Sequence, residues 1–331
     1  MNRSSAKVRG STSTTMGILR RRRVAVAAAG VLLAGLGACA DRPQPRRPAS
    51  RLPFFFIQIS DPQYGFYTNN NNCILERELF ARAAAHINRL RPAFVIVTGD
   101  IINKEGSDRQ ADEILRDARA IDPAIPLHWV PGNHDVGGTP TALELAWFRK
   151  RFGPDHYSFE TGECLFLVLN SPLATHSGDR PDEAAVQDAW LADRLREASS
   201  SRSYRHIMVF MHHPLFVATI GEWGEYPREV GERWLRLFER HGVRAAFAGH
   251  RHRNFLVRSG GFEMVTTSSL GKPFGDDPSG FRIVKVYADR IEHQYYGLDA
   301  VPAAVALDAA PAEAAAPASA RATTASTDSS R

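Results

Sequence analysis

The stretch FFFIQISDPQYG, residues 54–65, decides how the rest of the chain is interpreted. Its first six residues form a short, nearly continuous apolar run, which favours a buried β-strand. Asp61 and Gln63 follow directly, two positions apart. Since side chains two positions apart in an extended segment point the same way, this carboxylate and this amide can aim at one point just beyond the strand.

Strands and helices alternate after this stretch. Apolar runs predict strands at 54–59, 93–98, 126–130, 164–169, 206–211 and 243–248. Amphipathic segments predict helices at 74–90, 108–120, 140–152, 183–198 and 228–241. The last part of the pattern contains strands alone, at 254–258, 262–267, 281–287 and 290–296, with hairpin turns at Gly260-Gly261 and Asp289-Arg290. Alternation followed by a run of strands predicts an α/β fold, a two-sheet sandwich flanked by helices.

Short polar clusters follow five of the predicted strands. They are Asp61-Pro62-Gln63, Gly99-Asp100, Gly132-Asn133-His134-Asp135, His212-His213 and Gly249-His250-Arg251-His252. One such cluster alone is typical of a turn. Because ligands bind at the carboxyl ends of strands in open α/β sheets, five clusters in this position indicate one shared site. Four further histidines, at 86, 128, 206 and 241, lie inside predicted elements or at their ends and are assigned no chemistry.

The ordered set of clusters resembles the calcineurin-like metallophosphoesterase superfamily, whose motifs run D-x-H, G-D, G-N-H-D/E, H and G-H-x-H. Gln63 departs from that pattern, since most members have His there. DPQ followed by a glycine-aromatic pair is similar to one branch, the complete serine/threonine-protein phosphatases of animals. The stretches GNHDVGGTPT (132–141), VFMHHPLF (209–216) and GHRHRN (249–254) fit that branch as well. The resemblance covers residues 52–300 and implies the metallophosphoesterase fold.

The resemblance implies a centre of two divalent metal ions. Asp100 would bridge both ions. Asp61, Gln63 and His252 would complete one ion, and Asn133, His212 and His250 the other. Gln63 supplies a neutral oxygen in place of an imidazole nitrogen, so Mn²⁺, Fe or Mg²⁺ is favoured over Zn²⁺ at that position, although Zn²⁺ remains an alternative.

Two further residues are given catalytic roles by the resemblance. His134 would sit beside the phosphate and protonate the leaving oxygen as a general acid. Asp135 would orient the His134 ring, as carboxylates often orient imidazoles. The reaction implied is in-line attack on phosphorus by a metal-bound hydroxide.

Three positions near these motifs stay open at the level of sequence. His213 either lines the pocket or is a solvated neighbour of His212. Asn103 is interpreted as a turn or helix-start residue rather than a substrate contact. The segment Glu222–Tyr226 is either a specificity lid or an ordinary surface loop.

The favoured function is hydrolysis of phosphomonoesters, either on phosphoserine and phosphothreonine in proteins or on small molecules. The alternative is a phosphodiesterase or pyrophosphatase acting on nucleotides or lipid headgroups, because one two-metal core serves both reactions. A metal-dependent binding protein without catalysis is the third interpretation, and Gln63 is its only support.

The two ends of the chain predict segments outside the folded domain. Residues 1–39 read as an export signal, with Arg20–Arg23 before an apolar stretch that ends in a lipoprotein-type box at Cys39. An ordinary signal peptide, and a start at Met16, are the alternatives. Residues 40–51 form a Pro/Arg-rich tether, and the composition of 301–331 predicts a disordered tail. A lipid-anchored protein in the periplasm or on the cell surface is therefore expected.

Charge and cysteine content disfavour two classes of protein, those that bind nucleic-acid polymers and those built on a disulfide scaffold. The formal charge of +5 comes from the amino terminus, where residues 1–38 hold seven basic residues and no acidic ones. The rest of the chain has 34 Lys and Arg against 36 Asp and Glu, which disfavours a nucleic-acid polymer as partner. Cys73 and Cys164, beyond Cys39, do not make a disulfide scaffold. A monomer acting on a phosphate ester is expected.

Overall fold

The structure is a computed structural model that describes residues 52–217 and 219–307. The predicted export signal at 1–39, the tether at 40–51 and most of the predicted tail lie outside the described residues. Within them, no helix is both long and apolar enough to cross a bilayer. Cys73 and Cys164 are buried and are not joined to each other.

The described ranges contain strands and helices in an order close to the predicted one. The strands are β1 Phe54–Ile59, β2 Val95–Thr98, β3 Leu127–Val130, β4 Tyr157–Thr161, β5 Cys164–Val168, β6 His206–Phe210, β7 Val243–Ala248, β8 Phe255–Ser259, β9 Phe262–Thr266, β10 Gly280–Val286 and β11 Ile291–Gly297. The helices are α1 Ile74–Leu90, α2 Asp108–Asp117, α3 Asn133–Val136, α4 Ala142–Phe152, α5 Ser171–Thr175, α6 Pro181–Ser201 and α7 Arg228–Arg240.

Two mixed sheets carry the fold. One has the strand order β11-β10-β1-β2-β3, and the other has the order β4-β5-β6-β7-β9-β8. β1, β2 and β3 are parallel to one another, as are β5, β6, β7 and β9. The carboxyl ends of the parallel strands in each sheet therefore lie along one edge.

The core shows how the sheets and helices are layered. A cluster between the sheets unites Phe56 of β1 with Phe166 of β5 and Phe210 of β6. The other face of the first sheet packs against α1, α2 and α4. The other face of the second sheet packs against α6 and α7. The side chains of β1 explain this arrangement. They point alternately to the two faces of the sheet, so successive residues enter opposite layers of the core.

The predicted sandwich is confirmed, as are the two hairpins, since β8 pairs with β9 and β10 with β11 in antiparallel fashion. Three short elements were not predicted: α3, β4 and α5. The predicted boundary at residue 300 needs a correction. Val301, Val305 and Leu307 pack against the core around the first sheet, so the folded domain continues at least to residue 307.

Candidate metal centre

The polar clusters after β1, β2, β3, β6 and β7 meet at one cleft that both sheets border. The backbone there is unusual, because five residues predicted as ligands have positive φ angles. These are Asp61 at 48°, Gln63 at 40°, Asp100 at 47°, His250 at 69° and His252 at 50°. Non-glycine residues in this region are strained and concentrate at functional sites. These positive φ angles turn the backbone sharply just after β1, β2 and β7.

One group of possible ligand atoms belongs to Asp61, Asp100 and His252, and these atoms all lie within 4.8 Å of one another. His252 Nε2 is 3.4 Å from Asp61 Oδ1. Its Nδ1 is 2.6 Å from the carbonyl oxygen of Lys272 and must donate to it, which leaves Nε2 as the nitrogen facing the two carboxylates. Burial opposes protonation of His252, but the charge of Asp61 outweighs this and raises the pKa of the imidazole.

Gln63 belongs to the same side of the cleft. The side chain is 2% exposed, and its Oε1 is buried without a hydrogen-bond partner among the described residues. Its Nε2 donates to Asn103 Oδ1 over 3.2 Å. An acceptor left unpaired in the interior costs free energy. A hard divalent cation would satisfy this oxygen, so the donors present fit the metal that the sequence predicts.

The second group comprises His212, His213 and His250, whose ligand nitrogens also lie within 4.8 Å. His212 Nε2 is 3.0 Å from Asn133 Oδ1 and 3.2 Å from Asp100 Oδ1. Its Nδ1 is 2.9 Å from the carbonyl oxygen of Thr98, which orients the ring. His213 Nε2 lies 3.2 Å from Asn133 Oδ1. His213 therefore lines the cleft, an alternative that the sequence left open.

The electrostatics of the cleft are those of carboxylates facing imidazoles in a buried space. Burial raises the pKa of Asp100, but the neighbouring imidazoles, His212 foremost, hold it well below its ordinary value. Burial lowers the pKa of His212, but Asp100 and Asp61 raise it to about 9. Burial and the charge of His212 lower the pKa of His250 to about 4. Burial foremost, and then the neighbouring His250 and His212, lower the pKa of His213 well below its ordinary value.

His134 lies where the sequence predicts it, but its ring is oriented by an unexpected group. Nδ1 is 2.7 Å from the backbone carbonyl of Asn103, and the backbone N–H donates to Asp100 Oδ1 over 2.9 Å. The prediction that Asp135 orients the His134 ring is therefore wrong. The carboxylate of Asp135 instead accepts from the backbone N–H groups of Ile101, Ile102 and Gly132. A side chain engaged in this way holds two loops together.

Gly249 shows how tightly the loops are packed. A Cβ at this position would lie 1.8 Å from Ser60 Oγ and 2.4 Å from Asp61 Oδ2. The N–H of the next residue, His250, donates to both oxygens of Asp61 at 3.1 Å. The glycine is required because the loop after β7 must reach the carboxylate after β1.

A cavity of about 240 Å³ opens beside the cleft and is lined by His250, Arg251, Arg253, Phe255 and Phe274. The Phe274 ring stacks on His252, with centroids 4.4 Å apart. Glu225, from the loop predicted as a possible lid, has an oxygen 3.5 Å from His250 Nε2 and 3.3 Å from Arg251. The loop thus reaches the edge of the cleft.

Comparison with known proteins decides the family. The sequence profile described as calcineurin-like phosphoesterase matches residues 56–254. The chain belongs to the calcineurin-like phosphoesterase family. Its relatives include the serine/threonine-protein phosphatase CPPED1 of Danio rerio, which is 38% identical in an alignment of 265 positions that covers 75% of this chain and 85% of that protein. CPPED1 of Homo sapiens is 37% identical over 266 residues, with coverage of 75% and 84%.

A solved structure carries the same architecture. A dimetal phosphatase from Danio rerio matches this calcineurin-like phosphoesterase with a TM-score of 0.59 and 17% identity, over 74% of this chain and 96% of that one. At that identity the likeness shows the fold alone. Together with the family, the two ligand groups identify a dimetal phosphoesterase, a hydrolase of phosphate esters that uses divalent metals.

The structure brings together all nine residues predicted for the site. They are Asp61, Gln63, Asp100, Asn133, His134, Asp135, His212, His250 and His252. Their individual roles as ligands and catalysts stay predictions. Sequence reasoning interpreted Asn103 only as a turn or helix-start residue and did not foresee that its carbonyl orients His134 and its side chain contacts Gln63. Its position three residues after Asp100 was the only signal that could have indicated it.

Proposed function

We propose that this calcineurin-like phosphoesterase hydrolyses phosphomonoesters, with His134 as the general acid. The observation that carries the proposal is the position of His134. Its backbone N–H is bonded to the buried carboxylate of Asp100, and its Nδ1 is engaged by the Asn103 carbonyl. Nε2 is therefore the nitrogen available to a substrate, and in the doubly protonated imidazolium it can deliver its proton to the leaving oxygen, while Nδ1–H stays bonded to the carbonyl.

The chain's own residues divide the remaining tasks. Asp61, Gln63 and His252 would hold one metal, Asn133, His212 and His250 the other, and Asp100 both. When bound, the two ions screen the phosphoryl oxygens and lower the pKa of a water molecule. We propose Mn²⁺, Fe or Mg²⁺ as the native metals, because the unpaired oxygen of Gln63 is a hard donor.

The substrate class rests on the relatives. The proteins of Danio rerio and Homo sapiens are named serine/threonine-protein phosphatases, which supports phosphoserine and phosphothreonine as substrates. The cavity lined by Arg251, Arg253 and Phe274 could accept either a peptide side chain or a small organic group. Small-molecule monoesters are therefore part of the proposal.

The decisive experiment compares initial rates on para-nitrophenyl phosphate and on bis-para-nitrophenyl phosphate, using the purified protein loaded with Mn²⁺. A strong preference for the monoester is expected, and phosphopeptides would be tried next. A preference for the diester would overturn the proposal in favour of a phosphodiesterase. Retained metal with no turnover of either ester would point to a binding protein.

We further propose that the protein is exported, anchored by lipid at Cys39, and monomeric. The support is the sequence, in which a cationic segment and an apolar stretch precede Leu36-Gly37-Ala38-Cys39. Metabolic labelling with palmitate in a bacterial host is expected to mark the wild type and not Cys39→Ser. Labelling of neither protein would overturn the anchor.

The proposed monomer is tested by light scattering. A monomer mass would support it, and a dimer mass would contradict it.

A further inference from the structure

A glutamine can turn either end of its amide towards a metal site, but only the carbonyl oxygen can act as a ligand to a hard cation. Gln63 presents this choice at a buried position, since its side chain is 2% exposed. Free rotation of the amide would direct its NH₂ group at the ion in part of the population. The hydrogen bonds around Gln63 determine which end faces the cleft.

The orientation begins at two backbone donors. Gln110 Oε1 lies 3.2 Å from the backbone nitrogen of Asn103 and 2.9 Å from that of Lys104. Backbone N–H groups can only donate, so this atom of Gln110 must be the oxygen. The other end of the amide, Nε2, then donates to Asn70 Oδ1 over 2.8 Å.

The same polarity passes through two more amides. Asn70 Oδ1 also accepts from Asn103 Nδ2 over 2.8 Å. Asn103 therefore turns its own oxygen towards Gln63 and accepts from Gln63 Nε2 over 3.2 Å. With its nitrogen engaged, Gln63 directs Oε1 elsewhere, and this oxygen is the buried atom without a partner among the described residues.

We propose that Gln110, Asn70 and Asn103 form a positioning chain that fixes the Gln63 carbonyl oxygen as a metal ligand. Each amide has one polarity that satisfies its neighbours, and the polarity is set by the backbone at Asn103 and Lys104. The positioning chain is uncharged, so it orients the Gln63 amide and leaves the charge of the cleft unchanged. The proposal rests on Gln63 binding a metal and is independent of which phosphate ester is the substrate.

The backbone conformation at Gly65 and Asn70 leaves room for the positioning chain. Gly65 has a φ of +105°, and a Cβ there would lie 2.2 Å from Gln110 Nε2. The absent side chain leaves the space through which Gln110 reaches Asn70. Asn70 itself has a φ of 70°, a conformation that asparagine tolerates better than most residues. Gln110 is fully buried on α2, which gives the chain a rigid origin.

The test measures metal binding rather than turnover. Apo protein is titrated with Mn²⁺ by calorimetry, with electron paramagnetic resonance of free Mn²⁺ as a second readout. Asn103→Leu removes the acceptor of Gln63 and keeps the backbone carbonyl that orients His134. We expect Mn²⁺ affinity at one of the two sites to fall by about 10-fold or more, as is usual when a group that orients a metal ligand is lost.

Two further variants show whether the effect passes through Gln63. In a Gln63→Ala background, Asn103→Leu is expected to change Mn²⁺ affinity by less than about twofold, because the residue that it positions is gone. Asn70→Asp keeps an acceptor for both Asn103 and Gln110 and is expected to bind Mn²⁺ at least as tightly as the wild type. Asn103→Ala replaces Asn103→Leu if thermal unfolding shows that the apo leucine variant is not folded.

Wild-type Mn²⁺ affinity in the folded Asn103 variant would overturn the proposal. An equal loss of affinity with and without Gln63 would also overturn it, since the effect would then be general to the cleft. These outcomes are separate from the test of the phosphomonoesterase. A protein that prefers diesters can still show the coupling between Asn103 and Gln63.

Discussion

The ring of His134 is held by the backbone of Asn103, whose carbonyl oxygen lies 2.7 Å from Nδ1. A backbone carbonyl accepts only, so the interaction fixes Nδ1 as a protonated nitrogen, and Nε2 can donate only when the ring carries a second proton. The carbonyl orients the ring without adding a further negative charge to the cleft. Proton donation, the role proposed for His134, would therefore depend on the loop after β2 keeping its conformation.

Replacement of His134 tests its role as general acid. His134→Ala is expected to lower kcat on a phosphomonoester by at least about 100-fold, the usual range for loss of such a group. Bound metal, measured by elemental analysis, is expected to be unchanged, because the contact with Asp100 comes from the backbone. Loss of metal from this variant would contradict the assignment. His241→Ala, an exchange of a histidine beyond the end of α7, is the control.

Replacement of Asp135 separates loop support from ring orientation. Asp135→Asn puts an NH₂ group where the carboxylate accepts from three backbone donors, so at least one donor loses its partner. The expected result is a loss of about 1–3 kcal/mol in the free energy of unfolding, together with weaker metal binding. Denaturant melts and metal titration measure both. A variant of unchanged stability and metal affinity that only loses turnover would favour direct contact with the His134 ring.

The close approach at Gly249 predicts a contrast between two glycines. Gly249→Ala places a methyl group against Ser60 and Asp61 and is expected to cost about 1–3 kcal/mol, in the range of overpacked sites. It is also expected to weaken metal binding. Gly261→Ala, in the turn between β8 and β9, meets nothing within 4 Å and is expected to have almost no effect. Equal thermal shifts in the two variants would refute the argument.

Metal removal should destabilise the protein as well as inactivate it. Metal ions that bind the folded cleft and not the unfolded chain add stability, about 2.7 kcal/mol at 100 times Kd for one site. Calorimetry in EDTA, and again after Mn²⁺ is restored, is expected to show a lower and then a recovered Tm. A Tm that is unchanged by EDTA and by added Mn²⁺ would mean that the clustered donors do not hold metal.

A histidine away from the site predicts a pH effect on stability. His128 stacks on Phe159 with ring centroids 3.7 Å apart, and burial lowers its pKa to about 4. The unfolded chain takes up this proton near pH 6.5, so the stabilising contribution is complete above that value and is lost as pH falls towards 4. It amounts to about 2 kcal/mol after allowance for partial exposure of the ring.

The variant His128→Phe keeps an aromatic ring between its neighbours and removes the titration. Urea melts at pH 7.5 and pH 4.5 are expected to show a smaller loss of stability in the variant than in the wild type. The metal-site groups titrate equally in both proteins, so the difference isolates His128. Identical losses would contradict the prediction.

Short elements mark the limit of prediction from local pattern. α3 and α5 span four and five residues, too few for a helical period to be visible. β4, Tyr157–Thr161, is a partly exposed edge strand without a run of apolar residues. The tail was misjudged at its start for a similar reason, because Val301, Val305 and Leu307 are isolated apolar residues in a polar and alanine-rich context.

The sequence by itself determined the order of the main elements, the two-sheet sandwich and the family, because strand and helix periods and motif spacing are local properties. It also placed the site residues at strand ends. Only the tertiary structure decided what each polar atom meets. His212 Nδ1 bonds the carbonyl of Thr98, 114 positions away, and the amide of Gln63 is oriented through Asn103, 40 positions away. Such pairings depend on the direction of backbone groups brought together by folding, and no local pattern encodes that direction.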